Sequence, residues 1–522
     1  MRVTSLQSAR AAAEQVPSPP TDFIRFTPGD CALLIGPAAL LLKRLEAVRI
    51  AGLRPALLCT GVNDAASLPS GLRALTGQLA DLSGWMGAFR ARLHTANGPA
   101  DLTPLSFHAD GHFDWVLDFT GSKPPGLGVA PLGHYSLVPD DYPALKQALL
   151  EIAQRLRDGF EKPRYFHLNA DLCAHQRQSV AGCSACLAAC AAGAISFGKQ
   201  SAQIEAHLCQ GCGACALVCP SGAVRHAYPG TSTQLARLRA ALEAWRQLEG
   251  GPAGLWIVED ETDPPSPGWL TWPVREAASL GLEFWLAALA LGAQRVALAV
   301  GQGPEMSRAA LASQVELGRS LLTGLGLPSA LGLADTRAAL AELPGLPPLP
   351  PFDLPGSDDK RSLLFAAIDA LAAGVATLPA SIPLSAGPLG EIRVDPAKCT
   401  LCSACVGICP AEALSVIGPL TQLAFTEERC LQCGLCVNTC PEKAVSLSPR
   451  LLTSRTARKR PRVLVEADMF ACSACGMPFA TQAMMRRSRA LMADHPMFQG
   501  EQARLMDLCP ACRQKAMVGI AI

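Results

Sequence analysis

Cysteine is the residue whose number and spacing suggest chemistry in this sequence. The 522-residue chain contains 22 cysteines, and all but Cys31 and Cys59 fall into short, regularly spaced runs. Thiols form disulfides in exported proteins, whereas the reducing cytosol leaves them available for metal binding. The N-terminal residues lack the apolar segment of a secretory signal. The runs therefore predict metal sites, in a protein that we expect to be cytoplasmic.

The clearest pattern lies in the second cysteine block. It reads Cys399-x2-Cys402-x2-Cys405-x3-Cys409-Pro410, then Cys430-x2-Cys433-x2-Cys436-x3-Cys440-Pro441. A [4Fe–4S] cluster needs four thiolates, and in paired runs of this kind the fourth cysteine ligates the other cluster. One cluster is thus assigned to Cys399, Cys402, Cys405 and Cys440, and the other to Cys409, Cys430, Cys433 and Cys436. Zinc is the weaker alternative, because zinc motifs rarely use this spacing.

The first block repeats this design with one departure. Its regular run is Cys209-x2-Cys212-x2-Cys215-x3-Cys219-Pro220, and its other run is Cys173-x9-Cys183-x2-Cys186-x3-Cys190-Ala191. The same rule assigns one cluster to Cys173, Cys183, Cys186 and Cys219, and another to Cys190, Cys209, Cys212 and Cys215. The long first gap leaves His175 as a rival ligand to Cys173. We expect His175 to be a solvated loop residue instead.

A different metal site is predicted near the C-terminus. Cys472-x2-Cys475 and Cys509-x2-Cys512 form two knuckles that suit a tetrahedral four-thiolate site. Zinc is the preferred metal, and a single rubredoxin-like iron is the alternative. A small domain gains stability from such a staple, so we expect the metal to be structural.

The order of these patterns predicts several domains. The fold class is multidomain α/β, plus two ferredoxin-like (α+β) modules that each hold two [4Fe–4S] clusters, and a zinc-ribbon-like C-terminal domain. The predicted units are an N-terminal α/β domain (1–155), ferredoxin module 1 (156–228), an α/β domain (229–340), a proline-rich linker and helix (341–390), ferredoxin module 2 (391–450), and a basic linker with the four-cysteine domain (451–522).

Other residues have simpler interpretations. Cys31 and Cys59 stand alone in apolar strands, where a free thiol behaves as a small hydrophobe. No spacing rule marks a further cluster as catalytic, and we interpret its members as surface loop residues: His108, His112, Asp114, Asp118 and His134. The basic run at 455–462 is read as a solvated linker, with a docking patch for an acidic partner as the alternative.

Composition excludes some classes of partner. A formal net charge of +1 and an aromatic content of 5% give no reason to expect nucleic-acid binding. The most apolar segment, 281–300, contains Glu283, Gln294 and Arg295, so we expect no transmembrane segment there. The turn at 300–304 contains Gly301 and Gly303 but lacks the third glycine of a dinucleotide fingerprint.

The cysteine blocks resemble bacterial two-cluster ferredoxins. The order of parts also resembles the proteobacterial polyferredoxin proteins that accompany formate dehydrogenases. That resemblance rests on FEKPRYF at 160–166 before Cys173-Ala-His175, on GLEFW at 281–285, and on Cys472-x2-Cys475-GMPF with DHPMFQG at 494–500. The 281–285 segment is also similar to delta-type subunits of hydrogenases and heterodisulphide reductases, without their cysteine cluster. The resemblance implies a cytoplasmic electron-transfer role.

Together these patterns predict an electron-transfer protein that relays single electrons through four [4Fe–4S] clusters. Its partners are expected to be redox proteins, such as a cytoplasmic dehydrogenase complex, and formate dehydrogenase is the example that the resemblance suggests. One alternative is a flavin- or nucleotide-dependent oxidoreductase. Another is an assembly or scaffold protein for a redox complex.

Overall fold

The computed structural model describes residues 2–61, 69, 71–121, 128–249, 253–259, 268–301, 303–349, 352–354, 356–418 and 421–518. Within these residues, two units built on parallel sheets alternate with two cysteine-rich modules, and a small unit follows at the C-terminal end.

The first unit is built on a five-stranded parallel sheet. Strands β4, β3, β2, β8 and β9 lie side by side in that order. Every residue of β2 is buried, as expected for a strand covered on both faces. Helices α2 and α3 cover one face, and an antiparallel sheet of β5, β6 and β7 covers the other. The elements, in chain order, are α1 (Arg2–Glu14), β1 (Phe23–Phe26), β2 (Cys31–Gly36), α2 (Ala38–Ile50), β3 (Arg54–Cys59), β4 (Ala74–Thr76), β5 (Leu79–Ser83), β6 (Arg90–Leu93), β7 (Ala100–Asp101), β8 (Trp115–Asp118), β9 (His134–Ser136), α3 (Tyr142–Asp158) and β10 (Phe160–Pro163).

The first cysteine-rich module consists of short elements around two small helices. They are β11 (Phe166–Leu168), β12 (Gln176–Arg177), β13 (Val180–Ala181), α4 (Ala185–Ala189), β14 (Ile195–Phe197), β15 (Ala202–Ile204), α5 (Ala214–Val218) and β16 (Val224–His226). Strand β11 pairs with β16 and β14 with β15, both antiparallel. The residues between Cys173 and Cys183 form the β12–β13 hairpin.

The second parallel-sheet unit has the strand order β18-β17-β19-β20. It contains α6 (Thr231–Glu249), β17 (Gly254–Val258), β18 (Trp269–Pro273), α7 (Leu282–Ala290), β19 (Arg295–Leu298), α8 (Glu305–Gly324), β20 (Leu331–Leu333), α9 (Arg337–Glu342) and α10 (Lys360–Ala373). All nine residues of α7 are buried within the protein. Among the described helices, none combines the length and apolarity needed to cross a bilayer.

Two segments pack differently from their predicted units. Helix α1 lies against α6, and its Ala9 and Ala13 belong to the core of the second parallel-sheet unit. The segment 341–390, predicted to be a linker and a helix, contributes Leu346, Leu354 and most of α10 to that same core. Prolines interrupt helices in this segment, but the leucines between them are apolar enough to be buried.

The second cysteine-rich module extends further than predicted. It contains β21 (Ser381–Pro383), β22 (Gly390–Val394), α11 (Ala404–Ile408), β23 (Leu414–Ile417), β24 (Gln422–Phe425), α12 (Leu435–Thr439), β25 (Val445–Leu452), α13 (Arg455–Lys459) and β26 (Arg462–Glu466). Strand β26 pairs with β24, so residues beyond 450 complete this module. The C-terminal unit consists of β27 (Met469–Ala471), β28 (Pro478–Thr481), α14 (Gln482–Met492) and α15 (Pro510–Met517).

Candidate metal centres

The regular cysteine runs wrap their backbone around the thiols by means of left-handed residues. Each run places one such residue before its second cysteine and another after it. These pairs are Gly211 and Gly213, Leu401 and Ser403, and Gln432 and Gly434. A five-residue helix follows each pair, and the fourth cysteine of the run is its C-terminal cap. This tight loop turns three thiols inwards and directs the fourth towards the neighbouring run.

The thiols of the two blocks lie in four groups. We name them in their spatial order: set I is Cys190, Cys209, Cys212 and Cys215; set II is Cys173, Cys183, Cys186 and Cys219; set III is Cys409, Cys430, Cys433 and Cys436; set IV is Cys399, Cys402, Cys405 and Cys440. Within each set, the negative charge of one thiolate raises the pKa of the neighbouring thiols. Each set combines three thiols of one run with the fourth thiol of the other.

Burial and mutual repulsion disfavour free thiolates in these sets. Burial raises the pKa of Cys405 to about 12, and the charges of Cys399, Cys402 and Cys440 add to this effect. In set II, burial followed by the charges of Cys219, Cys183 and Cys173 raises the pKa of Cys186 to about 12. A cationic iron centre would relieve this repulsion, so the donor set fits an iron–sulfur cluster.

Set IV surrounds an apolar cavity that fits the same group. The four thiols line it together with Leu401, Val416, Leu423 and Val445. The backbone N–H of Ala444 donates to the Sγ of Cys440 at 3.3 Å. In set III, the N–H of Ala413 donates to the Sγ of Cys409 at the same distance. Such donors stabilise negatively charged sulfur and tune a cluster's potential.

Electrostatic effects between thiols connect each set to the next. A charge on Cys186 in set II raises the pKa of Cys215 in set I. In the same way, a charge on Cys405 in set IV raises the pKa of Cys436 in set III. Between the two modules, a charge on Cys183 raises the pKa of Cys433. Sets II and III are therefore neighbours, although their modules are far apart in sequence. The spatial order is I, II, III, IV.

The β12–β13 hairpin joins the two modules. The side-chain amide of Asn438, in α12, donates to the backbone carbonyl of Ala181 at 2.7 Å. A Cβ on Gly182 would lie 2.5 Å from the carbonyl oxygen of Ala174 and 2.7 Å from Cγ of Leu435. Only glycine allows this approach. The insertion that lengthens the first cysteine run is thus a docking element for the second module.

We expect Gly182→Ala to weaken this junction. The added methyl group has backbone on one side and a buried leucine on the other, so the contact should lose about 1–3 kcal/mol. On heating, the anaerobically purified variant should lose its visible cluster absorbance faster than wild type does. Gly407→Ala in α11 is the matched control, because no atom outside the adjoining helix backbone lies within 4 Å of its added Cβ. If the two variants lose absorbance at the same rate, the hairpin contact does not stabilise the junction.

The start of α10 holds both modules through backbone carbonyls. Lys360 donates to the carbonyls of Ala216 and Leu217 at the end of α5, at 2.7 and 2.8 Å. Arg361 donates to Pro220 in the first module and to Cys430 in the second, at 3.3 and 3.0 Å. Burial lowers the pKa of Arg361 to about 10. Sequence reasoning missed both residues, because a predicted helix gives no sign of the distant carbonyl groups that its first side chains bind.

Lys162 places a buried cation beside set I. Its Nζ donates to the carbonyl oxygens of His207 and Cys209 at 2.6 and 2.7 Å. Burial lowers its pKa to about 8. The side chain is 4% exposed. A positive charge here favours extra negative charge on the neighbouring thiolate set.

Lys162→Met should therefore lower the reduction potential of a cluster bound by set I. Methionine keeps the volume of the side chain and removes its charge. We expect a shift of about 50 mV, equivalent to roughly 1.2 kcal/mol for one electron. An anaerobic redox titration followed by electron paramagnetic resonance would measure it. Lys146→Met, at an exposed position of α3, should leave the potential unchanged. A loss of iron without any shift in the remaining signal would contradict this role.

His175 is not the solvated residue that the sequence suggested. It is 9% exposed, and its ring stacks on Phe197 with centroids 3.3 Å apart. Its Nδ1 donates to the carbonyl oxygen of Cys183 at 3.0 Å. The solvated interpretation was wrong because the residues after His175 fold into a hairpin. A charge on Cys173 raises the pKa of both Cys183 and Cys186, so its thiol lies near theirs. The arrangement therefore favours Cys173 as the fourth thiol of set II.

The four cysteines of the C-terminal unit converge on one point. The Sγ atoms of Cys472, Cys475, Cys509 and Cys512 all lie within 4.8 Å of one another. The backbone N–H of Cys509 donates to the Sγ of Cys472 at 3.3 Å, and this bond contributes most to lowering the pKa of Cys472 to about 6. A thiolate at neutral pH is ready to bind a metal. The separation suits one ion rather than a four-iron cluster.

The basic run at 455–462 is part of the structure and not a free linker. Arg458 is 1% exposed and forms ion pairs with Asp369 in α10 and with Glu428. Arg462 pairs with Glu391 at 2.8 Å. Neither the solvated linker nor the docking patch describes Arg458 and Arg462. The run was misread because its acidic partners come from distant segments.

The glycine turn near residue 301 is unsuited to a phosphate. A Cβ on Gly301 would lie 1.9 Å from a carboxylate oxygen of Glu259, and the N–H of Val300 donates to Asp335 at 2.5 Å. Two carboxylates therefore occupy the position where a phosphate would need donors. Gln302, between the two glycines, lies outside the described residues.

Two family models match the chain, and both describe a 4Fe–4S dicluster domain. The chain contains two 4Fe–4S dicluster ferredoxin domains. One match covers residues 398–445 and includes all eight cysteines of the second block. The other covers residues 181–223 and begins after Cys173. No curated protein matches the chain. Domains of this kind bind iron–sulfur clusters, so electron transfer with redox partners is the chemistry that they indicate.

Proposed function

We propose that this chain is an electron-transfer protein, a polyferredoxin that relays single electrons through four [4Fe–4S] clusters held by sets I to IV. A cluster of this type takes up or releases one electron at a time. The observation that carries the proposal is the junction between sets II and III, where Asn438 binds the carbonyl of Ala181 and the charge of Cys183 raises the pKa of Cys433. Without it the chain would hold two separate ferredoxins, whereas with it the four sets form one continuous path.

The surrounding residues support such a path in three ways. Apolar side chains line the thiol sets, as Leu423 and Val445 do at set IV. Backbone N–H groups donate to sulfur. Helix α10 and the β12–β13 hairpin keep the modules at a constant separation. A stable separation matters because electron transfer between centres depends steeply on distance.

We also propose that the C-terminal unit is a zinc-ribbon-like domain with a structural zinc ion. It docks beside set IV, where the hydroxyl of Thr481 donates to the carbonyl of Thr400 at 2.8 Å and Arg487 pairs with Glu442 at 3.0 Å. Thr400 and Glu442 both line the cavity of set IV. A structural metal here would keep this small unit folded at one end of the path.

The proposed partner is a cytoplasmic dehydrogenase complex, with formate dehydrogenase as the first candidate from the resemblance. The test mixes the oxidised protein anaerobically with purified formate dehydrogenase and formate. Visible absorbance should bleach to the same extent as with dithionite. Bleaching by dithionite alone would exclude this partner and leave the relay intact. Failure of dithionite to bleach the protein would exclude the relay.

A second candidate function is a flavin- or nucleotide-dependent oxidoreductase, which one cavity favours. The cavity has a volume of about 480 Å³ and lies between α1, α6 and β18. Three arginines, Arg10, Arg237 and Arg275, line it against one carboxylate, Glu14, and this excess of positive charge suits an anionic ligand. Its wall residue Ser279 lies directly against Gly213 in the loop of set I. A cofactor bound there would be next to the first set of the path.

Extraction of the purified protein distinguishes the two functions. Stoichiometric release of a flavin or nucleotide on denaturation would support the oxidoreductase, and Arg275→Ala should then lower the bound amount. Absence of any such compound, together with reducible clusters, supports the carrier alone.

A further inference from the structure

Three potential metal ligands meet at the start of strand β8, away from the cysteine sets. They are His108, His112 and Asp114, and their ligand atoms lie within 4.8 Å of one another. The two imidazole rings stack in parallel with centroids 3.9 Å apart. The sequence suggested unconnected surface loop residues here. That interpretation was wrong, because the loop folds back so that both histidines face one buried carboxylate.

Asp114 is the centre of this group. Its side chain is 2% exposed. Its Oδ2 accepts a hydrogen bond from the backbone N–H of Cys31 at 2.9 Å and lies 2.7 Å from Nε2 of His108. A Cβ on Gly29 would lie 2.8 Å from the same oxygen, so glycine is needed for the chain to pass over the carboxylate. The carboxylate is held in place from several sides.

The protonation of His112 follows from its neighbours. Its Nδ1 lies 2.6 Å from a carboxylate oxygen of Asp110. An ionised carboxylate can only accept, so Nδ1 carries the proton. In neutral imidazole the other nitrogen, Nε2, then has a lone pair, and it lies 3.6 Å from Oδ1 of Asp114. This distance is too long for a hydrogen bond.

Two acceptor atoms separated in this way leave room for a cation. Metal–nitrogen and metal–oxygen bonds of about 2.0–2.2 Å would span the gap between Nε2 and Oδ1. A metal-binding histidine usually donates its other N–H to a carboxylate, which is the role that Asp110 plays towards His112. By the same rule Nε2 of His108 carries the proton of its hydrogen bond to Asp114, and that proton is released when His108 becomes a ligand. The arrangement therefore has ligands and an orienting partner.

We propose that His108, His112 and Asp114 form a site for a divalent transition-metal ion, separate from the cysteine sets. Two imidazoles and one carboxylate suit zinc or iron(II). The side chains of His108 and His112 are 27% and 20% exposed, so water has access to complete the coordination. The ion would tie the 106–114 loop to the start of β2 through Asp114. The site does not depend on the proposed relay.

The test uses zinc as the probe and the full-length, anaerobically purified protein. Wild type and variants are equilibrated with Zn²⁺ and desalted, and zinc and iron are measured by mass spectrometry. His112→Ala should hold one zinc per chain fewer than wild type, with unchanged iron. His94→Ala should match wild type, because His94 is exposed and lies outside the group. Cys475→Ser identifies the zinc of the C-terminal unit separately.

Asp110→Asn separates metal binding from folding. Its side chain is 59% exposed, so the substitution should not disturb the core. Loss of the orienting carboxylate should weaken zinc binding about 10–100-fold. Equal zinc content in wild type and His112→Ala would overturn the proposal. If His112→Ala loses iron as well, unchanged zinc affinity in Asp110→Asn would overturn it.

Discussion

Reduced protein that retains only sets II and III should give a spectrum of two interacting spins. This inner-pair variant carries serine at Cys209, Cys212, Cys215, Cys399, Cys402 and Cys405. It should contain about eight irons, from two four-iron clusters. Because sets II and III meet at the junction where Asn438 binds Ala181, the remaining reduced centres should broaden or split each other's electron paramagnetic resonance signals. The two centres belong to different modules, so only the proposed junction explains such an interaction.

The matched control retains only sets I and IV. This outer-pair variant carries serine at Cys173, Cys183, Cys186, Cys430, Cys433 and Cys436. It should also contain about eight irons, and its two signals should be independent of each other. The order of the sets is wrong if the outer pair interacts and the inner pair does not. Independent signals in both variants would mean that the modules act as separate ferredoxins.

Removal of the C-terminal metal should unfold residues of the last unit without affecting the clusters. Cys475→Ser leaves three thiolates, and structural zinc sites contribute on the order of 10–16 kcal/mol to small domains of this kind. The hydrophobic cluster of the unit consists of three of the cysteines, Cys472, Cys509 and Cys512, with Leu508. We therefore expect limited proteolysis to cleave the variant after about residue 466, where β26 ends. Zinc should fall by one per chain, and iron should stay at its wild-type value.

Ser473→Ala is the control for this experiment. Ser473 lies between two of the ligands, and its exposed side chain donates a long hydrogen bond of 3.4 Å to the carbonyl oxygen of Asp507. The variant should keep its zinc and its resistance to protease. A stable C-terminal unit in Cys475→Ser would show that the metal is not what holds it together. Loss of iron instead of zinc would assign a rubredoxin-like centre.

The sequence allowed the cysteine domains to be predicted because their pattern is local. The x2-x2-x3 spacing dictates a loop in which residues such as Leu401 and Gln432 adopt positive φ angles, and little outside the run is needed. The free thiols of Cys31 and Cys59 were also interpreted correctly as core, and both are fully buried. Local chemistry and local spacing were sufficient in these cases.

The junction between the modules could not be predicted in the same way. Arg361 holds carbonyl groups that come from distant parts of the chain, and no local pattern announces such partners. Arg458 was misread for the same reason, since a run of basic residues gives no sign of the distant Asp369. One signal was present, namely the insertion after Cys173. An extra segment inside a tight metal loop suggests a contact with another part of the molecule.

The measurement that tests the central claim most directly is the content of iron and acid-labile sulfide in anaerobically purified, full-length protein. Four clusters require about sixteen of each per chain, with broad visible absorption that dithionite bleaches. A colourless protein without labile sulfide would contradict the account, whatever its zinc content. About eight irons and eight sulfides per chain would mean that only one of the two modules binds its clusters.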